Sequence, residues 1–181
     1  VQDDPLLERV TASDRIYDGR ILNVRVDTVE MADGRSARRE IVEHAAVVAI
    51  VPVDSHGNVV LVRQYRLAAG EALLEIPAGG VDEGEDIEAA AQREMQEEIG
   101  HRAGTIRSLA GFYVSPGYVT EFIHAFLATN LVEEPAAADE DEQIEIARMP
   151  FDEALRLIET GGIKDAKSIV GLMLAAKVLL G

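Results

Sequence analysis

Residues 45–53 form an unbroken apolar run of nine, Ala-Ala-Val-Val-Ala-Ile-Val-Pro-Val, in which β-branched side chains dominate. A half-buried strand would alternate apolar and polar residues. A continuous run predicts a strand buried on both faces, so the rest of the chain must cover it from above and below. The run is far too short to cross a bilayer, which takes about 20 residues.

The flanking sequence reads as the material for those layers. Residues 11–43 predict an antiparallel β region, with residues 21–29 mostly alternating, a turn at Asp33-Gly34 and a return strand over 36–43. A turn at Asp54-Ser55-His56-Gly57-Asn58 precedes a strand over 59–65. Residues 73–77 are a short apolar segment stopped by Pro77 and a Gly79-Gly80 turn. Residues 86–99 predict a helix ended by Gly100. Strands are expected over 106–113 and 121–129, with Ser115-Pro116-Gly117-Tyr118 as the loop between them. After an acidic loop at 133–142 come a strand over 144–149 and helices over 151–159 and 167–180. On the last helix, Leu172, Met173, Ala176 and Leu179 read as a core or dimer stripe. The expected class is α+β, an α/β/α sandwich around a mixed sheet with an N-terminal antiparallel β extension.

Charge narrows the function. A formal net charge of -16 repels nucleic acid and anionic membranes, so neither is an expected partner. It also repels phosphorylated small molecules, so phosphate chemistry here needs cations and well-placed arginines. The chain has no cysteine, which excludes disulfides and thiol catalysis and fits a cytoplasmic location. Residues 1–5 carry no signal-peptide pattern.

The chemistry concentrates at residues 79–101. On a helix Glu94 and Glu98 stand about 40° apart, and Glu97 joins them within an arc of about 100°. Such a patch repels itself unless a cation compensates. It is more than a solvated acidic face, because Ile87, Ala91, Met95 and Ile99 define the apolar stripe and Glu94 and Glu98 border it. Oxygen-only donors suit Mg²⁺ or Mn²⁺.

The spacing Gly79, five residues, Glu85, seven residues, Arg93-Glu94-Met95-Gln96-Glu97-Glu98-Ile99-Gly100 resembles the signature box of the Nudix hydrolases. His101 departs from it, where an aliphatic residue is usual. Arg63-Gln64-Tyr65-Arg66, residues 75–79, Ser115-Pro116-Gly117 and residues 162–168 are similar to the ADP-ribose pyrophosphatases of that family. The resemblance implies a domain over 44–181 after an extension over 1–43. It also implies hydrolysis of a nucleoside-diphosphate compound such as ADP-ribose. The alternatives are another nucleotide sugar or dinucleoside polyphosphate as substrate, or a ligand sensor without turnover.

The resemblance further implies roles for individual residues. Glu94, Glu98 and the Ala78 carbonyl are expected to ligate metal, with Glu97 as a direct or water-mediated ligand. Arg93 is expected to hold the carboxylates together with Glu85. The general base is expected at Glu140 or Glu142, with Glu97 as the alternative. Arg66 is expected to meet the diphosphate, Glu121 the terminal ribose, and Arg39 a neighbouring subunit's site in a homodimer.

Overall fold

A computed structural model describes residues 4–137 and 143–181. The chain falls into two compact units, one of residues up to Ala45 together with Tyr113–Phe122, the other of Ala46–Phe112 and Ile123–Gly181.

The first unit is built on a three-stranded antiparallel sheet, in the order β1 (Arg9–Asp18), β2 (Leu22–Glu30), β3 (Ser36–His44). Gly34, at φ 80°, takes the left-handed turn conformation that Asp33-Gly34 announced. Residues 113–122 join this unit through the backbone: Val42 N–H donates to the Tyr118 carbonyl at 2.7 Å, and Thr120 N–H to the Val42 carbonyl at 3.0 Å. That association links stretches far apart in sequence, and no local pattern announces it. Every residue of β1 is exposed, including Val10, Ile16 and Tyr17.

The second unit holds the core. The apolar run becomes β4 (Val47–Pro52), and all six of its residues are buried. Side chains alternate across the strand. Val47, Ala49 and Val51 therefore enter one apolar cluster, while Val48 and Ile50 enter another. β4 pairs in parallel with β9 (Phe122–Glu133) and antiparallel with β7 (Ala78–Gly80) in a sheet ordered β7-β4-β9-β8, where β8 is His101–Tyr113. A further sheet is ordered β10 (Ile144–Pro150), β5 (Asn58–Arg66), β6 (Glu71–Glu75). Helix α1 (Ile87–Ile99) contributes Ala91, Met95 and Ile99 to the cluster with Val48 and Ile50. Helices α2 (Phe151–Glu159) and α3 (Ala166–Leu179) supply Phe151, Leu172 and Ala175 to the other cluster. Helices thus cover both faces of β4, as its composition requires.

One local expectation is corrected and another is refined. Gly79-Gly80 is not a turn. Residues 78–80 are a short strand, held by ladder pairing of Val47 with Gly80 and Ala49 with Ala78. Tertiary pairing here overrides glycine's weak strand preference. The α3 stripe divides: Leu172 is buried with Ser168, Gly171 and Ala175, and Ala176 packs against the core, whereas Met173 and Leu179 are exposed. Helix α3 is apolar around most of its circumference, so its pattern does not choose which side faces the core. Gly171 decides it, because a Cβ there would lie 2.8 Å from Ile76 Cδ1. Adding that carbon would overpack the core by about 1–3 kcal/mol.

Candidate active site

Helix α1 starts and stops where local chemistry dictates. Asp86 Oδ1 caps it by accepting from Glu88 N–H and Ala89 N–H, a contribution of about 1 kcal/mol. Gly100 ends it in the left-handed conformation at φ 69°. Between those ends the buried Met95 and Ile99 set the helix's rotation, so Glu94 is carried inward and is itself buried.

Glu94 is seated on β7. A Cβ at Gly79 would fall 2.1 Å from Glu94 Cδ and 2.2 Å from each carboxylate oxygen, so only glycine leaves room for the carboxylate against this backbone. The adjacent Ala78 N–H donates to Glu98 Oε2 at 3.2 Å. The first residue of β7 therefore meets Glu98 and the second meets Glu94.

Arg93 gathers the remaining charge. Its Nε and Nη2 donate to the two oxygens of Glu85, each at 2.9 Å. Nη1 donates to Glu94 Oε1 at 2.6 Å and to Glu97 Oε2 at 3.1 Å, and Nη2 also reaches the Gly80 carbonyl at 2.9 Å. The bidentate Arg93 contact, reinforced by Asp82 N–H, depresses the Glu85 carboxyl to about 2. Glu85 pairing in turn raises the Arg93 guanidinium above its ordinary value, against the opposing effect of burial. The fork geometry suits arginine, since lysine would present a single point charge.

One guanidinium thus serves Glu85, Glu94 and Glu97, and Glu98 adds a further carboxylate beside Ala78. The cluster keeps an excess of negative charge made only of oxygen donors, a donor chemistry that suits a hard divalent cation. Among the described residues no three acidic or histidine side chains are grouped so as to hold a metal ion as they stand. Glu94 and Glu97 direct oxygens to Arg93 instead. Glu140 and Glu142 lie outside the described residues. His101 opens β8, with Nδ1 2.6 Å from the Ile99 carbonyl.

Arg66 ends β5 and is clamped by Glu75 at the end of β6, Nε to Oε1 and Nη2 to Oε2, both 2.9 Å. Glu75 is almost fully buried, and Lys167 also donates to it. Burial opposes its ionisation, but Arg66 and Lys167 outweigh that and hold its pKa below the ordinary value. No sequence pattern marks this pairing, because Glu75 sits inside an apolar stretch and, although Arg66 lies on the neighbouring strand, Lys167 comes from α3, 92 residues away.

In the first unit Arg39 is ion-paired with Glu8, with Nε 2.9 Å from Oε2. It lines a cleft of about 280 Å³ with Glu8, Arg25, Ile41, Tyr118 and Thr120. Glu121 is half-buried, and its carbonyl accepts from Val114 N–H at 3.3 Å.

Residues 42–170 match the NUDIX domain family, and residues 8–42 match the nucleoside diphosphate sugar hydrolase N-terminal domain. With most of its length inside the first match, the chain belongs to the Nudix family and is a Nudix hydrolase, a class that generally needs divalent metal ions. It is 37% identical to an ADP-ribose pyrophosphatase of Bacillus subtilis over 165 residues, which cover 90% of this chain and 89% of that protein. A methanol dehydrogenase activator of Bacillus methanolicus is 35% identical over 167 residues, 91% of this chain and 90% of that protein. In fold it is similar to a solved ADP compounds hydrolase, with a TM-score of 0.88 at 24% identity, covering 97% of this chain and 96% of that one. Among the described residues no helix is long and apolar enough to cross a membrane.

Proposed function

We propose that this Nudix hydrolase cleaves the diphosphate of ADP-ribose with water, giving AMP and ribose 5-phosphate, with Mg²⁺ or Mn²⁺ as its metal. The observation that carries the reading is the Arg93-centred carboxylate cluster seated on β7. The similarity to an ADP-ribose pyrophosphatase over 90% of the chain supports the choice of substrate. Glu94, Glu98 and the Ala78 carbonyl would hold the metal, with Glu97 as a further ligand. When bound, the ion neutralises and polarises the diphosphate and lowers the pKa of the attacking water. Arg93 and Glu85 keep the carboxylates in register. Glu140 or Glu142 takes the proton from water, with Glu97 as the alternative base. Arg66, already oriented by Glu75, presents its guanidinium to the diphosphate, and Glu121 meets the terminal ribose. The match of residues 8–42 to a nucleoside diphosphate sugar hydrolase domain favours, as a second reading, a different nucleotide sugar.

Incubation of ADP-ribose with the protein and Mg²⁺ should yield AMP and ribose 5-phosphate by chromatography, without orthophosphate. Release of orthophosphate would mark a phosphatase. Faster turnover of another nucleotide sugar would select the second reading, and tight binding without turnover would mark a sensor.

The working form is proposed to be a homodimer with shared sites. The exposed apolar residues of β1 need cover, and a second copy of the chain supplies it economically. Arg39 would then add positive charge to the neighbour's site, exchanging or sharing its Glu8 partner. Mixing inactive Arg39→Ala and Glu98→Gln proteins should restore activity through heterodimers that contain one intact site. Demonstrated subunit exchange without recovery would rule out Arg39 acting across the interface.

A further inference from the structure

The ion pairs around Glu75 lie outside the carboxylate cluster, and the roles assigned above leave most of them unused. Glu75 accepts from both Arg66 and Lys167. Lys167 also faces Asp165 Oδ2 at 3.0 Å, and that oxygen accepts from Ser168 N–H at 2.9 Å and from Ser168 Oγ at 2.5 Å. Ser168 Oγ in turn accepts from Ile76 N–H at 2.8 Å. The charges balance, and among the described residues no buried side-chain polar atom lacks a partner.

Stability alone does not call for such a network. Well-packed apolar residues of similar volume often serve equally well in place of buried ion pairs, whose attraction is offset by desolvation. Placement is the more informative property. Helix α3 grips Ile76 twice, by the Ser168 hydroxyl at its N–H and by Gly171 against its side chain. Pro77 follows, its carbonyl accepting from Ile50 N–H of β4 at 2.9 Å. Next come Ala78, which meets Glu98, and Gly79, which seats Glu94. From Ile76 to Gly79 is three residues, so a displacement at one end has little chain in which to relax.

We propose that Asp165, Lys167 and Ser168 are positioning residues that set the height of Ala78-Gly79 beneath Glu94 and Glu98, and thereby the affinity of the carboxylate cluster for a divalent cation. The inference rests on the metal-site reading above. Ser168→Ala leaves Ile76 N–H without its acceptor, and Lys167→Met removes one of the Glu75 cations at similar side-chain length. Each variant is expected to weaken Mn²⁺ binding about tenfold or more, measured by titration without substrate. Amide exchange at Ala78 should quicken in parallel, whereas for Ser168→Ala, which leaves the Arg66–Glu75 clamp in place, the substrate KM at saturating metal should stay within about twofold. A merely structural network would instead lower thermal stability in the folded variants and leave Mn²⁺ affinity unchanged, which would overturn the proposal. Glu98→Gln, titrated alongside, separates the two levels. If it binds Mn²⁺ as the parent does, the metal-site reading itself fails. If it loses binding while both α3 variants keep it, only the positioning role fails.

Discussion

Glu98→Gln is expected to lower the rate of ADP-ribose hydrolysis on the order of a hundredfold or more at saturating Mg²⁺, because Glu98 is proposed as a metal ligand and the loss of one weakens both metal binding and water activation. Glu98 lies on the last turn of α1 and accepts from Ala78 N–H through Oε2. A carboxamide oxygen can still accept that bond, so the fold should survive and circular dichroism should match the parent. The missing quantity is charge, in a cluster where an excess of negative charge attracts the cation. Steady-state rates across a Mg²⁺ series give the test. A variant that keeps most of its activity would remove Glu98 from the metal site.

Gly79→Ala should be comparably damaging for a geometric reason. The new methyl would occupy the space of the Glu94 carboxylate, 2.1–2.2 Å from its atoms. That obstacle is the end of a flexible side chain, so the cheap response moves Glu94 and leaves β7 in its ladder with β4. Activity should fall on the order of a hundredfold, while the thermal midpoint changes by only a few degrees. Gly80→Ala is the matched control, since its Cβ would meet nothing within 4 Å. It should stay within about twofold of the parent, as expected for substitutions that touch no special feature. Equal activity in the two variants would show that the Glu94 seat is irrelevant to turnover.

Glu98 and Gly79 differ in how legible they are in the sequence. Glu98 and its neighbours are visible from spacing alone, because helical periodicity puts acids four residues apart on one face and Met95 and Ile99 show which face turns inward. Gly79 is visible as a motif position, yet its surroundings suggested a turn. Nothing local reveals that a carboxylate fifteen residues later rests on its backbone. Glu75 is the harder case. A single acid in an apolar stretch gives no sign of its partners, and Arg66 and Lys167 reach it from the end of β5 and from α3.

Short-range physics was therefore decided by the sequence itself. The apolar run at 45–53 dictated a strand covered on both faces, Asp86 and Gly100 bounded α1, and the Arg93 box identified a carboxylate centre. These features depend on residues within a few turns of one another, where periodicity, capping and turn chemistry act without outside help. Only tertiary structure decided that residues 78–80 are a strand, that α3 turns Gly171 and Ser168 inward, and that residues 113–122 join the N-terminal sheet. Each of those outcomes rests on hydrogen bonds or close packing between segments distant in sequence. Such contacts form only once the whole chain supplies the partner, so no local pattern encodes them.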